Sequence, residues 1–134
     1  MRAVIQRVAK ASVAVGGSEV SRIGPGLCCL IGVEAGDGPG DVDYIARKIC
    51  SLRIFDDGCG VMNLDVGEAE GEILLISQFT LLGDARKGRR PSYSSAQDPE
   101  GASAVFEQVV AAVSSLHGGT VVTGRFQTTM DVDL

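Results

Sequence analysis

Histidine, tryptophan and paired cysteines are what this chain has least of, and each scarcity removes a class of chemistry. A single histidine, His117, excludes a zinc site built from histidines and leaves a mixed Cys/His site little to draw on. The same scarcity weakens any Ser-His-Asp arrangement. His117 also falls where a helix is expected to end, so its ring is better placed against the carbonyl end of the helix dipole than in catalysis. The four cysteines, Cys28, Cys29, Cys50 and Cys59, form no C-x-x-C pair, and Cys28-Cys29 lies inside an apolar run, which reads as reduced, structural thiols. No apolar stretch approaches the roughly 20 residues that a bilayer span needs. The segment Met1 to Arg7 has two arginines but lacks the apolar core of a secretory signal, so a cytoplasmic location is expected. Neither metal nor cofactor is expected.

What is present points to one domain spanning residues 1–134, since 45% of the residues are apolar and no linker or repeat divides them. The net charge of −5 argues against a protein that coats nucleic acid generically. The positive charge is concentrated, however: Arg86, Lys87, Arg89 and Arg90 account for 4 of the 12 basic residues. That cluster suits either a local phosphate contact or a solvated loop.

Periodicity predicts a strand pattern from Ala3 to Val15, a turn at Gly16-Gly17, a return strand from Glu19 to Ile23, and a strand buried on both faces from Leu27 to Val33. Asp41 is expected to cap a helix whose apolar face carries Val42, Ile45, Ala46, Ile49 and Leu52. An extended piece from Arg53 to Phe55 stops at Asp56-Asp57-Gly58, and Glu72 to Leu82 reads as one apolar strand. Asp98-Pro99-Glu100 is a strong helix start, with a buried stripe of Ala102, Val105, Phe106, Val109, Val113 and Leu116, and Gly118-Gly119 ends that helix near His117. Strands over Thr120–Thr123 and Gln127–Leu134 follow, with Met130, Val132 and Leu134 on one face of the second. The expected fold class is α+β: a bent, partly closed, mainly antiparallel sheet or barrel with two helices packed on one side.

The stretch Ile76-Ser77-Gln78-Phe79-Thr80-Leu81 puts polar side chains at the end of an apolar strand, where they either cap it or are used. Ser77-Gln78-Phe79-Thr80-Leu81, Gly83-Asp84 and Arg86-Lys87-Gly88-Arg89-Arg90-Pro91-Ser92-Tyr93-Ser94 together resemble the signature block of the D-aminoacyl-tRNA deacylase family. Arg2 to Val8 with Ala11-Ser12-Val13, Arg53-Ile54-Phe55 leading to Met62-Asn63-Leu64, and Thr123-Gly124-Arg125-Phe126 leading to Met130 agree in order and spacing. The match spans essentially the whole chain.

That resemblance implies a homodimer with its active site at the subunit interface, holding the 3′-terminal adenosine of a charged tRNA. Ser77, Gln78, Phe79 and Thr80 would form the catalytic part, Phe79 and Met130 would hold the adenosine, and Arg7 would brace the element that selects chirality. It implies hydrolysis of D-aminoacyl-tRNA, with activity on glycyl-tRNA mischarged on the alanine tRNA, and steric exclusion of L-substrates. In the family the last strand runs on into an Asn-x-Gly-Pro-x-Thr motif that enters the partner's site. This sequence stops before it, and its alternation is still running at Leu134, so a truncation is expected.

An aminoacyl ester is activated by its vicinal hydroxyl, so the chemistry needs an oriented water and oxyanion donors more than a base. Backbone N–H groups of Phe79 and Thr80 are favoured for that task over Thr80 as a covalent nucleophile, because no adjacent base is evident. The competing readings are a non-catalytic RNA-binding module and a threonine-dependent esterase for small molecules.

Overall fold

Gly16 and Gly17 both have positive φ, 57° and 79°, which a two-residue type I′ turn requires and glycine supplies without strain. They join strand β2 (Ala11–Val15) to β3 (Ser18–Ile23) in the computed structural model, which describes residues 1–134. Before them runs β1 (Arg2–Val8), and after them β4 (Gly26–Gly32). The continuous pattern expected from Ala3 to Val15 is therefore broken at Ala9-Lys10. There the chain leaves one sheet for another: Val8 pairs with Gly26, and Ala11 pairs with Ile23.

Helix α1 (Pro39–Ser51) starts earlier than expected. Asp41 is its third residue rather than its cap, and its carboxylate reaches back to accept the Gly38 N–H at 2.9 Å. A short hairpin, β5 (Phe55–Asp56) and β6 (Met62–Leu64), precedes β7 (Glu72–Ser77). The strand expected from Glu72 to Leu82 ends at Ser77. Its neighbour β4 has run out, the Gln78 N–H makes the last bond to Ile31 O at 2.7 Å, and Phe79–Leu82 wind into a 3₁₀ turn.

Helix α2 (Pro99–His117) begins as expected, with the Asp98 carboxylate accepting from Gly101 N at 3.0 Å and Pro99 in the first turn. Ala102, Phe106, Val109 and Val113 are buried, but Leu116 is 52% exposed because it lies past the end of the packed stripe. After β8 (Val121–Thr123), Thr128 Oγ1 donates to Arg125 O at 2.9 Å and Gln127 takes a left-handed φ of 54°. That turn replaces the first half of the strand expected from Gln127, leaving only β9 (Asp131–Asp133), in which Val132 is exposed.

The main sheet has the order β1-β4-β7-β8, and a second sheet the order β3-β2-β9. β4 is antiparallel to β1 but parallel to β7, which is parallel to β8. Successive side chains of a strand point to opposite faces, so the central pair builds two cores. Leu27, Cys29, Ile31, Ile73 and Leu75 face both helices, while Cys28, Leu74 and Ile76 face Val8, Ala11, Val13 and Ile23 around the second sheet. The expected α+β class with two helices on one side describes this arrangement, but the sheets are not closed and the main one is mixed rather than mainly antiparallel, because β4, β7 and β8 run parallel. The adjacent cysteines of β4 consequently lie on opposite faces. Both are buried and free, and desolvation pushes the Cys29 thiol up to about 12. β4 and β7 approach closely where they begin: a Cβ on Gly26 would stand 1.9 Å from Glu72 O.

Candidate active site

The parallel register of β4 and β7 delivers Ser77 beside Ile31 at the C-terminal end of the central strands, where the chain passes from full burial at Ile76 to exposure at Phe79 within three residues. A cavity of about 760 Å³ opens there. One wall is Ile76, Ser77, Gln78 and Phe79, another is the segment from Tyr93 to Ala102, and the third is the return loop from Phe126 to Val132, including Met130. No charged side chain lines it.

Of the residues expected at the site, Ser77, Gln78, Phe79 and Met130 meet in this cavity. Thr80 stands just outside, in the 3₁₀ turn, exposed. Its hydroxyl accepts from Gln78 Nε2 at 2.5 Å, and no imidazole, amine or carboxylate touches it. A turn of four residues leaves its first amides without internal acceptors. Leu81 N–H bonds Gln78 O at 3.3 Å, and the N–H groups of Phe79 and Thr80 have no partner in the chain.

Arg7 is not brought to the cavity within one chain. It pairs with Leu27, four residues before the Ile31 that flanks Ser77, or about 13 Å along the strand direction. Its guanidinium donates to Ile54 O at 3.0 Å and lies 3.2 Å from Asp56 Oδ2, so it braces the β5 hairpin. His117 sits at the end of α2 and is absent from the cavity wall. No three His, Cys, Asp or Glu side chains come together in a way that could hold a metal ion.

The basic cluster occupies a loop closed by paired bonds between Asp84 and Ser92, at 2.8 and 2.9 Å. Arg86 is held by Asp84 at 2.6 Å, and this guanidinium keeps the Asp84 carboxyl below its ordinary pKa. Lys87, Arg89 and Arg90 are exposed and make no ion pair within the chain. The loop ends at Tyr93, whose ring meets Phe79 edge-on with centroids 5.2 Å apart. The loop thus reaches the cavity through Tyr93, while Arg86 lines a separate depression with Arg2 and Glu34.

Tyr93 and Phe126 carry part of the family resemblance but no expected site role, and Gln97 carries neither, yet all three line the wall. Phe126 is backed by Phe106 at 6.5 Å, so four of the chain's six aromatic rings gather at this end of the sheet. The signal available was their scarcity: with so few rings, one in the polar loop after Gly83 and another beside Gly124 are conspicuous.

Fold and cavity together define the class: a small α+β protein with a cavity at the open end of a mixed sheet, lined by aromatic rings, amides and a thioether. Residues 4–134 match the family described as D-Tyr-tRNA(Tyr) deacylase, and the chain belongs to that family. It is 51% identical over its full length to the D-aminoacyl-tRNA deacylase of Natranaerobius thermophilus and 52% identical to that of Heliobacterium modesticaldum, covering 89% of each. Among solved structures, it superposes on the c-Myc DNA Unwinding Element Binding Protein with a TM-score of 0.94 and 34% identity, covering 100% of this chain and 91% of the other. A second structure, described as "a probable eukaryotic D-amino acid tRNA deacylase", shares the fold with a TM-score of 0.80 and 16% identity, covering 98% of this chain and 91% of the other. No helix is long and apolar enough to cross a membrane.

Proposed function

We propose that this chain hydrolyses the ester linking a D-amino acid to the 3′-terminal adenosine of tRNA, with Ser77, Gln78, Phe79 and Thr80 forming the catalytic edge. The observation that carries this reading is a cavity without a charged wall, bordered by two unpartnered backbone N–H groups, in a member of a deacylase family. Ester hydrolysis at an activated aminoacyl carbonyl suits such a site. Water adds to the carbonyl carbon, the Phe79 and Thr80 amides donate to the oxyanion, and the bond to the ribose oxygen breaks. That oxygen leaves with a proton, and the free amino acid carries the water's oxygen. The substrate's own vicinal hydroxyl helps activate the water, so no histidine is needed. Thr80 lacks the neighbouring base that a nucleophilic hydroxyl requires, which supports backbone catalysis.

The adenosine is held between Phe79 and Met130, and Lys87, Arg89 and Arg90 contact phosphates nearer the body of the tRNA. Chirality is read by exclusion: backbone atoms of a second copy stand beside the α-carbon and admit hydrogen but no side chain. Glycyl-tRNA passes the same barrier. A homodimer with the site at its interface is supported by the exposed apolar side chains around the cavity, Phe79 at 56%, Val132 at 40% and Tyr93 at 39%. Arg7, remote from its own cavity, would act across that interface. Matched D- and L-tyrosyl-tRNA provide the test: rapid release of D-tyrosine with L-tyrosyl-tRNA left intact is expected, and equal rates on the two would refute chiral exclusion.

A second reading, a nucleic-acid-binding module without catalysis, draws on the basic loop and on the name of the structure at 34% identity. Tight binding of D-tyrosyl-tRNA with no ester cleavage would favour it.

A further inference from the structure

Gly124 follows β8, and its N–H donates to Leu75 O at 3.1 Å, which fixes its backbone against the central strand of the main sheet. Its φ is not among the positive values of this chain, so glycine is not demanded there by backbone conformation. Space demands it. A Cβ at this position would stand 2.6 Å from Met130 Sδ, 3.7 Å from Met130 Cε and 3.8 Å from Ile76 Cγ1. The intervening residues loop out and return, held by the Thr128–Arg125 bond and by Phe126 against Phe106, so that the Met130 side chain lies directly over Gly124. The thioether fills the volume of the missing methyl, and from there it forms part of the cavity wall.

We infer that Gly124 is a positioning residue for the adenosine subsite: its missing side chain is the seat in which Met130 rests. The inference rests on the reading that Met130 contacts the adenosine. Two features separate it from an ordinary packing requirement. The atom nearest to an added methyl is the flexible end of a methionine rather than backbone, in contrast to Gly26, where Glu72 O would be struck at 1.9 Å. The sheet can therefore keep its form while Met130 yields. Ile76 and Leu74, both buried, belong to the cluster on which Met130 packs, so a displaced thioether has the cavity as its open side.

The test is a double-mutant cycle of Gly124→Ala and Met130→Ala in the full chain, read by steady-state deacylation of D-tyrosyl-tRNA and by the methyl resonances of labelled methionine. The chain has three methionines, so the Met130 signal is assigned by its loss in Met130→Ala. Gly124→Ala is expected to shift that resonance and to raise KM by about fivefold to tenfold, the scale of one sulfur–aromatic interaction, with kcat changed less than about threefold. In the Met130→Ala background the same substitution is expected to add nothing to KM. An unshifted resonance, an unchanged KM or a fully additive double mutant overturns the inference while leaving the deacylase reading in place. A wild-type chain that cleaves no D-tyrosyl-tRNA, with a Met130 resonance indifferent to added adenosine, overturns the reading of the site and the inference with it.

Discussion

Strand β7 and the segment that follows it adjoin in sequence and differ in almost everything else. Ile73 through Ile76 are inaccessible to solvent, packed on both faces between helices and the second sheet. From Phe79 to Pro99 nearly every side chain is at least partly exposed, Leu82 alone being fully buried. The difference separates two duties. The buried strands fix where the cavity stands, and the rim supplies the groups that we propose meet the ligand. Substitutions in the two regions should therefore fail in different ways.

The sharpest contrast is between Leu75→Ala and Phe79→Ala. Truncating Leu75 in the sheet centre is expected to cost about 2–5 kcal/mol in urea unfolding. Phe79→Ala should leave unfolding nearly unchanged and raise KM for D-aminoacyl-tRNA by about fivefold to a hundredfold, the range that stacking of one base on an aromatic ring supplies. Comparable losses of stability for both would erase the division of labour.

Alkali tests the buried side alone. The Cys29 thiol is pushed from 9.0 to about 12 by burial in the folded chain. The unfolded chain therefore ionises this thiol first: its contribution to stability is complete below pH 9 and is lost as pH rises toward 12. At 1.36 kcal/mol per unit, the loss from this group is about 4 kcal/mol at most. Cys29→Ala should flatten the stability–pH curve over that interval, and an unaltered curve would mean that the thiol is not sealed.

On the rim, Arg89→Ala with Arg90→Ala should lower the slope of log K against log salt by about 0.7–0.9 for each phosphate no longer neutralised, with the fold intact. Arg86→Ala should do less, since Asp84 already holds that guanidinium at 2.6 Å. An unchanged slope would return the cluster to a solvated loop. The smallest effect is expected at Thr80→Ala, which leaves the backbone N–H in place. A rate within about tenfold of wild type is expected, whereas a fall of about 10⁴-fold would restore the hydroxyl as nucleophile.

The legibility of the sequence followed the same boundary. The apolar run after Gly26 and the stripe from Ala102 to Val113 could be read because burial leaves periodic marks. The end of β7 could not: Leu81 and Leu82 continue the apolar pattern, and only the termination of β4 at Gly32 leaves them without a strand to join. Asp41 looks like a cap because caps and third-residue acids draw on the same amino acids. At the site, the resemblance brought Ser77, Gln78, Phe79 and Met130 into view. Tyr93 and Phe126 lie 33 positions apart, and their convergence is a property of the folded chain.

The pairing of β2 with β9, Ser12 opposite Asp133, sets an order of events during synthesis. The ribosome releases the segment Ser77–Thr80 some fifty residues before Met130, and the second sheet acquires β9 only when the chain around Val132 loops back to its beginning. Closing so long a loop is slow relative to local helix and hairpin formation. A nascent chain therefore carries one wall of the cavity before it carries another, and the wall that holds Met130 and Val132 takes its place only after the chain has returned to β2.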